Sequence, residues 1–267
     1  MVLLLLGCTE DVDHGACEVE VESRTCMAQQ ERAASASDER DALRGPTTSM
    51  AALECDVFAQ DCPAGEKCVA TASEGSPVTD GTQCVPVDPD APRLGEACTR
   101  DLASRSDDCE AGTTCWFTGP DVATCVELCS CSAENPVCTT PGTQCVVTNT
   151  GTAPLCLPVC NPLDPEACGE GIGCYAFADS FYCVPDISED RGGDGYICRF
   201  RNECKPGLAC MDASVLVGCA GASCCTSYCE PGNDDPCRPG MTCVPWYGDD
   251  PPTDSCLAAV GICRTAS

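Results

Sequence analysis

Large apolar side chains are scarce in this sequence, because Leu, Ile, Val and Phe together account for only 44 of its 267 residues. The formal net charge of -28 adds self-repulsion. Both features are typical of a disordered chain, and they exclude a single domain built around one large hydrophobic core. Cysteine is abundant instead, at 31 of 267 residues. This fraction exceeds the share of about 8–10% that is typical of a disulfide scaffold. Disulfide bonds are therefore expected to replace the missing core.

Basic residues and histidine are also scarce. Only 14 Lys and Arg oppose 42 Asp and Glu, so the surface repels phosphate backbones and no nucleic acid is expected as a partner. His14, the only histidine, lies in an acidic segment, which disfavours a Ser-His-Asp or Cys-His centre. The sequence contains no C-x-x-C pair, which disfavours structural zinc and thioredoxin-like chemistry. The sequence predicts a non-enzymatic protein without a cofactor.

The number of cysteines indicates an oxidising compartment, where thiols become structural cross-links. Residues 1–8 end in Leu-Leu-Gly-Cys, which resembles a bacterial lipobox. That resemblance implies a lipid on Cys8 that holds the chain at a membrane without a transmembrane helix. Because Thr9 rather than Asp follows Cys8, it also implies sorting to the outer membrane. The alternative is a truncated secretory signal.

Residues 9–54 are predicted to be an acidic tether between the lipid and the folded body. Cys17 and Cys26 are expected to pair locally within it. Residues 28–44 are rich in helix formers and precede Gly45-Pro46, so they are expected to form a solvated helix or a loose tether rather than a helix that binds a partner. If Cys8 carries a lipid, thirty cysteines remain for disulfides, and this even number permits complete pairing.

The cysteines after the tether form an internal repeat, which emerges when the chain is aligned on a glycine three residues before a cysteine. Six modules of four cysteines result, and five of them share the spacing C-x-x-G-x-x-C between the second and third cysteine. The modules, in order, are Cys55, Cys62, Cys68 and Cys84; Cys98, Cys109, Cys115 and Cys125; Cys129, Cys138, Cys145 and Cys156; Cys160, Cys168, Cys174 and Cys183; Cys198, Cys204, Cys210 and Cys219; and Cys229, Cys237, Cys243 and Cys256.

The repeat predicts the structure of a module. The shared glycine permits a sharp turn at positive φ, the third cysteine opens an extended stretch, and the fourth closes a returning one. Each module is therefore predicted to be a short β-hairpin laced to the preceding loop by two disulfides. Four cysteines allow three connectivities, of which first to third and second to fourth is preferred. The adjacent Cys224 and Cys225 are expected to bond different partners.

The predicted fold class is an elongated array of small disulfide-rich repeats, made of short β-hairpins and loops with little helix outside the tether. Each repeat is expected to contact only its neighbours. A proline-rich spacer at 86–92 and a glycine-containing spacer at 185–195 divide the array into groups. These groups are module 1 at 55–87, modules 2–4 at 98–187 and modules 5–6 at 198–263.

The segments from Phe58 to Cys68 and from Cys243 to Trp246, together with the repeat, resemble a family of uncharacterised cysteine-rich lipoproteins of myxobacteria and related predatory bacteria. The resemblance covers residues 55 to about 263. It implies a cell-surface or periplasmic location, and it carries over no activity and no functional residue.

Two further groups of residues are candidates for binding. Carboxylates in the second spacer suit calcium, and the alternative is an exposed acidic turn that aids solubility. These carboxylates are Asp186, Glu189, Asp190 and Asp194. Aromatic residues on the predicted hairpins are expected mostly to cover disulfides, and the alternative is an outward-facing surface that binds protein or glycan. These residues are Trp116, Phe117, Tyr175, Phe177, Phe181, Tyr182, Trp246 and Tyr247.

The sequence therefore predicts a non-enzymatic structural or interaction protein, lipid-anchored at the cell surface or in the periplasm. It does not identify the molecular partner, for which a protein and a glycan are the candidates. Two alternatives stay open, namely a module that binds calcium or a glycan and a protease inhibitor, because small cross-linked loops resist cleavage.

Overall fold

The computed structural model describes residues 54–71, 81–100, 106–118, 122–148, 153–177, 180–248, 252 and 257–266. Several sequence predictions fall outside these residues. They are the lipid site at Cys8, the tether with its helix at 28–44, and the pairing of Cys17 with Cys26. His14 and Cys256 also lie outside the described residues.

Short antiparallel strands dominate the described residues. They are β1 (Glu66–Thr71), β2 (Gly81–Pro86), β3 (Thr113–Phe117), β4 (Ala123–Glu127), β5 (Ser130–Cys131), β6 (Pro136–Val137), β7 (Thr143–Thr148), β8 (Ala153–Pro158), β9 (Ile172–Phe177), β10 (Ser180–Pro185), β11 (Leu208–Asp212), β12 (Ser223–Cys229), β13 (Thr242–Pro245) and β14 (Gly261–Arg264). Helix in this part of the chain consists of 3-10 turns at Arg201–Glu203 and Ala213–Val215. The predicted array of disulfide-rich hairpins is confirmed.

Each module contains one hairpin with the same cysteine register, and module 3 has the short β5-β6 pair in addition. The third cysteine lies opposite the fourth across the two strands, as Cys68 lies opposite Cys84 in module 1. The other facing pairs are Cys115 and Cys125, Cys145 and Cys156, Cys174 and Cys183, Cys210 and Cys225, and Cys243 and Cys263. In modules 5 and 6 the hairpins join through β12 and β14 into a sheet of order β11-β12-β14-β13.

The disulfides lace each hairpin to the loop before it. Modules 1 to 4 follow the predicted connectivity of first to third and second to fourth cysteine. The first-to-third bridge recurs in module 5 as Cys198–Cys210 and in module 6 as Cys229–Cys243. Cys131, which lies outside the repeat pattern, is disulfide-bonded as well. Extensive cross-linking of this kind indicates an extracellular or periplasmic environment.

The predicted fourth cysteine is wrong in modules 5 and 6. Cys204 bonds Cys225 rather than Cys219, and Cys237 bonds Cys263 rather than Cys256. Cys219 instead bonds Cys224 and closes a short loop within the hairpin of module 5. The hairpin register explains these partners. Only the cysteine opposite the third cysteine of a module lies beside the loop that contains the second cysteine. The prediction that Cys224 and Cys225 have different partners is confirmed.

A third extended segment completes most modules. The N–H of the first cysteine donates to the carbonyl two residues before the fourth, as in Cys98 to Ala123 at 3.0 Å and Cys160 to Phe181 at 3.1 Å. The residue three positions after the fourth cysteine donates to the carbonyl of the shared glycine, as in Leu128 to Gly112 at 2.9 Å. These bonds tie the loop, the turn and both strands of a module together.

The shared glycine adopts a positive φ in every module, with values from 73° to 88° at Gly65, Gly112, Gly142, Gly171, Gly207 and Gly240. We expect Gly65→Ala to lower the free energy of unfolding by about 1–2 kcal/mol, because this backbone region is unfavourable for L side chains. Thermal unfolding measures the loss. A Cβ at Gly65 would meet nothing within 4 Å, so steric clash does not contribute.

Gly169→Ala is the matched control. A Cβ there also meets nothing within 4 Å, and its φ lies outside the positive range. This variant should be as stable as the wild type or slightly more stable, because alanine restricts the unfolded chain. Equal losses in the two variants would contradict the assigned role of the shared glycine.

Side chains pack across the first spacer. Lys67 of module 1 is buried and bonds Asp107 and the carbonyl of Cys109 in module 2. Phe58 of module 1 belongs to one apolar cluster with Cys138 of module 3. The expectation that modules contact only their neighbours in sequence is therefore wrong, since modules 1 and 3 also pack together.

Candidate interaction surfaces

Most of the aromatic side chains cover small cores, as predicted. Tyr175, Phe181 and Tyr182 are buried. The ring centroid of Phe181 in module 4 lies 5.3 Å from that of Trp246 in module 6 and 5.5 Å from that of Tyr228 in module 5. Phe181 thereby joins three modules in one aromatic cluster, which Tyr247 extends at 6.4 Å. Phe117 is the exception among the predicted aromatic residues, because it is 55% exposed.

Phe117 lies at a groove of about 470 Å³ where modules 2, 3 and 4 meet. The volume is within the range of about 300–1,000 Å³ that is typical of ligand pockets. The groove has a largely apolar lining of Leu94, Trp116, Phe117, Val126, Leu157, Pro158 and Ile172. Half-cystines of all three modules, including Cys125, Cys156 and Cys168, complete it. Disulfides within each module therefore stiffen the separate walls of the groove.

The carboxylate of Glu127 and several threonine hydroxyls at the groove already have partners within the protein, whereas the buried indole N–H of Trp116 has none among the described residues. The carboxylate of Glu127 accepts hydrogen bonds from the backbone N–H groups of Thr139 and Thr140, at 2.6 and 2.9 Å. The hydroxyls of Thr118 and Thr124 bond each other at 3.1 Å. The hydroxyl of Thr143 donates to the carbonyl of Thr140 at 2.7 Å. The groove therefore offers a partner mainly apolar contact.

Glu127 also has a shifted acidity. Burial raises the pKa of its carboxyl, but hydrogen bonds from Thr140 and Thr139 outweigh burial and bring the pKa below the ordinary value of 4.5. A carboxyl group with a depressed pKa in the folded state stabilises the protein above its unfolded pKa. This stabilisation is lost as the pH falls through the lower folded-state pKa.

We therefore expect Glu127→Gln to destabilise the protein at pH 7 and to have a progressively smaller effect below pH 4.5. Denaturant unfolding of wild type and variant, compared at a series of pH values, measures this difference. Glu134→Gln is the control, because Glu134 is exposed. A destabilisation by Glu127→Gln that does not change with pH would contradict the role of the carboxylate charge.

A second surface lies on module 5, and the sequence prediction missed it. Tyr196, Ile197 and Phe200 are 55%, 58% and 63% exposed. They fall in the short segment before and after the first cysteine of the module, Cys198. Arg199 is exposed between them. The signal in the sequence was the combination of apolar and basic residues, which is unusual in so acidic a chain.

The calcium candidates do not all face solvent as unpaired carboxylates. Asp186 accepts a hydrogen bond from the backbone N–H of Ser188 at 2.8 Å, and the hydroxyl of Tyr175 lies 3.1 Å from the same oxygen. Asp194 is paired with Arg238 at 3.2 Å. Glu189 and Asp190 are exposed. Two of the four carboxylates therefore already have partners, and calcium binding stays a prediction.

Comparisons with known proteins return no family: no family model, curated protein or solved structure matches this chain. Across the described ranges, the structure contains no helix that combines the length and the apolar character needed to cross a membrane. Among the described residues, the groove at Phe117 and the exposed apolar surface of module 5 are the features that indicate a function.

Proposed function

We propose that this chain is a non-enzymatic interaction protein of the cell surface or periplasm, held at a membrane by a lipid on Cys8. The groove between modules 2, 3 and 4 is its binding site for a partner protein. The lipobox-like residues before Cys8 and the oxidised cysteines support this location.

The observation that carries the proposal is the apolar groove between three modules that are each cross-linked internally. Exposing Phe117 and Leu94 to water is unfavourable unless a partner covers them. Protein partners supply apolar side chains that fit such a site. A glycan would require polar groups to bond, and the hydroxyls and the carboxylate at this groove bond within the protein. A protein partner is therefore favoured over a glycan.

Photo-crosslinking in the cells that produce the protein tests the binding site. A photoreactive phenylalanine analogue at Phe117 should give discrete adducts with another protein. The same analogue at Val147 is the control, since Val147 is also exposed but is absent from the groove lining. Adducts at both positions alike, or at neither, would contradict the proposed site.

The mass of the protein purified from membranes tests the anchor separately. The amino terminus of the mature chain should be Cys8, and its mass should include attached acyl chains. A Cys8→Ser variant should leave the membrane fraction. A mature chain without lipid would contradict the proposed anchor. The proposed binding site in the groove would be unaffected, because the crosslinking experiment tests it independently.

A further inference from the structure

Modules 2 and 5 share one backbone arrangement before their first cysteine. Gly95 and Gly195 have φ values of 81° and 83°, and each donates its N–H to the carbonyl of the fourth cysteine at 2.8 Å. The N–H of that fourth cysteine donates back to Glu96 in module 2 and to Tyr196 in module 5, at 2.9 and 2.8 Å. The same scaffold therefore occurs twice in one chain and permits a direct comparison of the side chains that it carries.

The side chains on this scaffold differ strongly. Module 2 carries Glu96 and Ala97 where module 5 carries Tyr196 and Ile197. After the cysteine, module 2 continues with Thr99-Arg100 and module 5 with Arg199-Phe200. Because module 2 forms the same backbone before its first cysteine with Glu96 and Ala97, folding does not require Tyr196 and Ile197 in module 5. Their exposure points to a binding role instead.

The backbone at Ile197 is an open strand edge. Ile197 faces Cys224 in an antiparallel bridge, and the hydrogen bonds to β12 are made by its neighbours Tyr196 and Cys198. In such a pair the N–H and C=O of the central residue point away from the partner strand. Within the described part of the chain, neither group of Ile197 has a hydrogen-bond partner. An added strand could bond both groups.

The segment that carries this edge, residues 191–205, has more basic than acidic residues, unlike the chain as a whole. Residues 106–190 contain no Lys or Arg, whereas residues 191–205 contain four of the 14 in the chain. All four are exposed, namely Arg191, Arg199, Arg201 and Lys205. The carboxylate of Glu203 accepts the backbone N–H groups of Arg199 and Phe200, and Asp194 is paired with Arg238. Both acids of residues 191–205 are therefore engaged, and of the four cations Arg201 also donates to the carbonyl of Ala176 at 2.9 Å.

From the open edge, the exposed apolar side chains and the local basic charge, we propose that module 5 binds an extended acidic peptide segment of a partner protein by strand addition at Ile197. Main-chain hydrogen bonds to Ile197 position the peptide. Its acidic side chains contact the arginines and Lys205, and its apolar side chains contact Tyr196 and Phe200. This surface is separate from the groove between modules 2, 3 and 4.

The experiment measures the binding of a fluorescent peptide with alternating glutamate and isoleucine to the full chain. Binding should be saturable and should weaken with salt. The variant Y196E/I197A, which installs the residues of module 2, should weaken it by about tenfold or more, the loss expected when anchoring side chains are removed. L94A/F117A at the groove is the matched control and should bind like the wild type. Unchanged thermal unfolding verifies that Y196E/I197A folds.

Two further arms distinguish strand addition from simple charge attraction and from other occupants. A peptide with an N-methylated central residue cannot donate the main-chain bond, so it should bind about tenfold more weakly. Equal binding of the two peptides, or no effect of Y196E/I197A, would overturn the proposal. The variant E18K/E20K/E22K removes negative charge from the acidic segment at residues 9–54. If this variant bound the peptide more tightly than the wild type, that segment would be the occupant of the edge, and the proposal would be overturned. If the protein bound anionic phospholipid vesicles and excess peptide did not inhibit that binding, the proposal would likewise be overturned.

Discussion

Replacing Cys204 and Cys225 together by alanine should lower the free energy of unfolding by about 3 kcal/mol or more. The bridge spans 21 residues of sequence, and in the chain-entropy description a cross-link of this span restricts the unfolded state by about 3 kcal/mol. Both half-cystines are completely buried, so the substitution also removes packing around β11 and β12. Chemical denaturation with intact-mass control measures the loss.

The double variant C219A/C224A is the matched comparison. That bridge spans only 5 residues, so the cross-link itself contributes about 2 kcal/mol. Cys224 is also fully buried, so some packing is lost here too, but the total loss should be smaller than that of the first variant. The ordering of the two losses tests the register of module 5. A larger loss from C219A/C224A, or a non-reducing peptide map that joins Cys204 to Cys219, would contradict it.

Lys67→Met should destabilise the protein by about 3–5 kcal/mol, the usual cost of removing one partner of a buried ion pair. The side chains of Lys67 and Asp107 are 1% and 6% exposed. The ammonium also donates to the carbonyl of Cys109 at 2.7 Å. Asp107 in turn accepts the hydroxyl of Thr114 at 2.8 Å. Without Lys67, the carboxylate of Asp107 would stay buried between modules 1 and 2 without its cation.

A double-mutant cycle isolates the interaction. D107N alone should also be strongly destabilising, and K67M/D107N should lose less stability than the sum of the two single variants. Arg238→Ala is the control, because the Arg238–Asp194 pair is partly exposed and such pairs are worth about 1 kcal/mol or less. Additive losses in the cycle would show that Lys67 and Asp107 do not stabilise each other.

The module architecture could be predicted from the sequence because its determinants are local. The spacing from Cys62 to Cys68 around Gly65 specifies a turn and the start of a strand within seven residues. The fourth cysteine is not local in this sense, since the length between the two strands varies from module to module. In module 5, Cys219 comes first in sequence, but Cys225 is the residue opposite Cys210. Only strand register distinguishes the two.

The interfaces between modules could not be predicted from the sequence, for a related reason. Spacer composition predicts the stiffness of a linker, but it carries no information about the side chains that meet across it. Lys67 gives no sign in the sequence that it is buried against Asp107. The groove likewise combines Leu94, Phe117 and Ile172 from two different modules, and of these only Phe117 was a candidate. The edge of module 5 becomes recognisable only when its backbone is compared with that of module 2.

We infer that covalent sulfur bridges, rather than apolar packing, hold this acidic chain in its fold. Full reduction without denaturant, followed by amide hydrogen exchange and a thermal scan, tests this dependence on the disulfides. We expect the reduced and alkylated chain to lose both its protected amides and its cooperative thermal transition. A reduced chain that keeps protected strands and unfolds cooperatively on heating would contradict it.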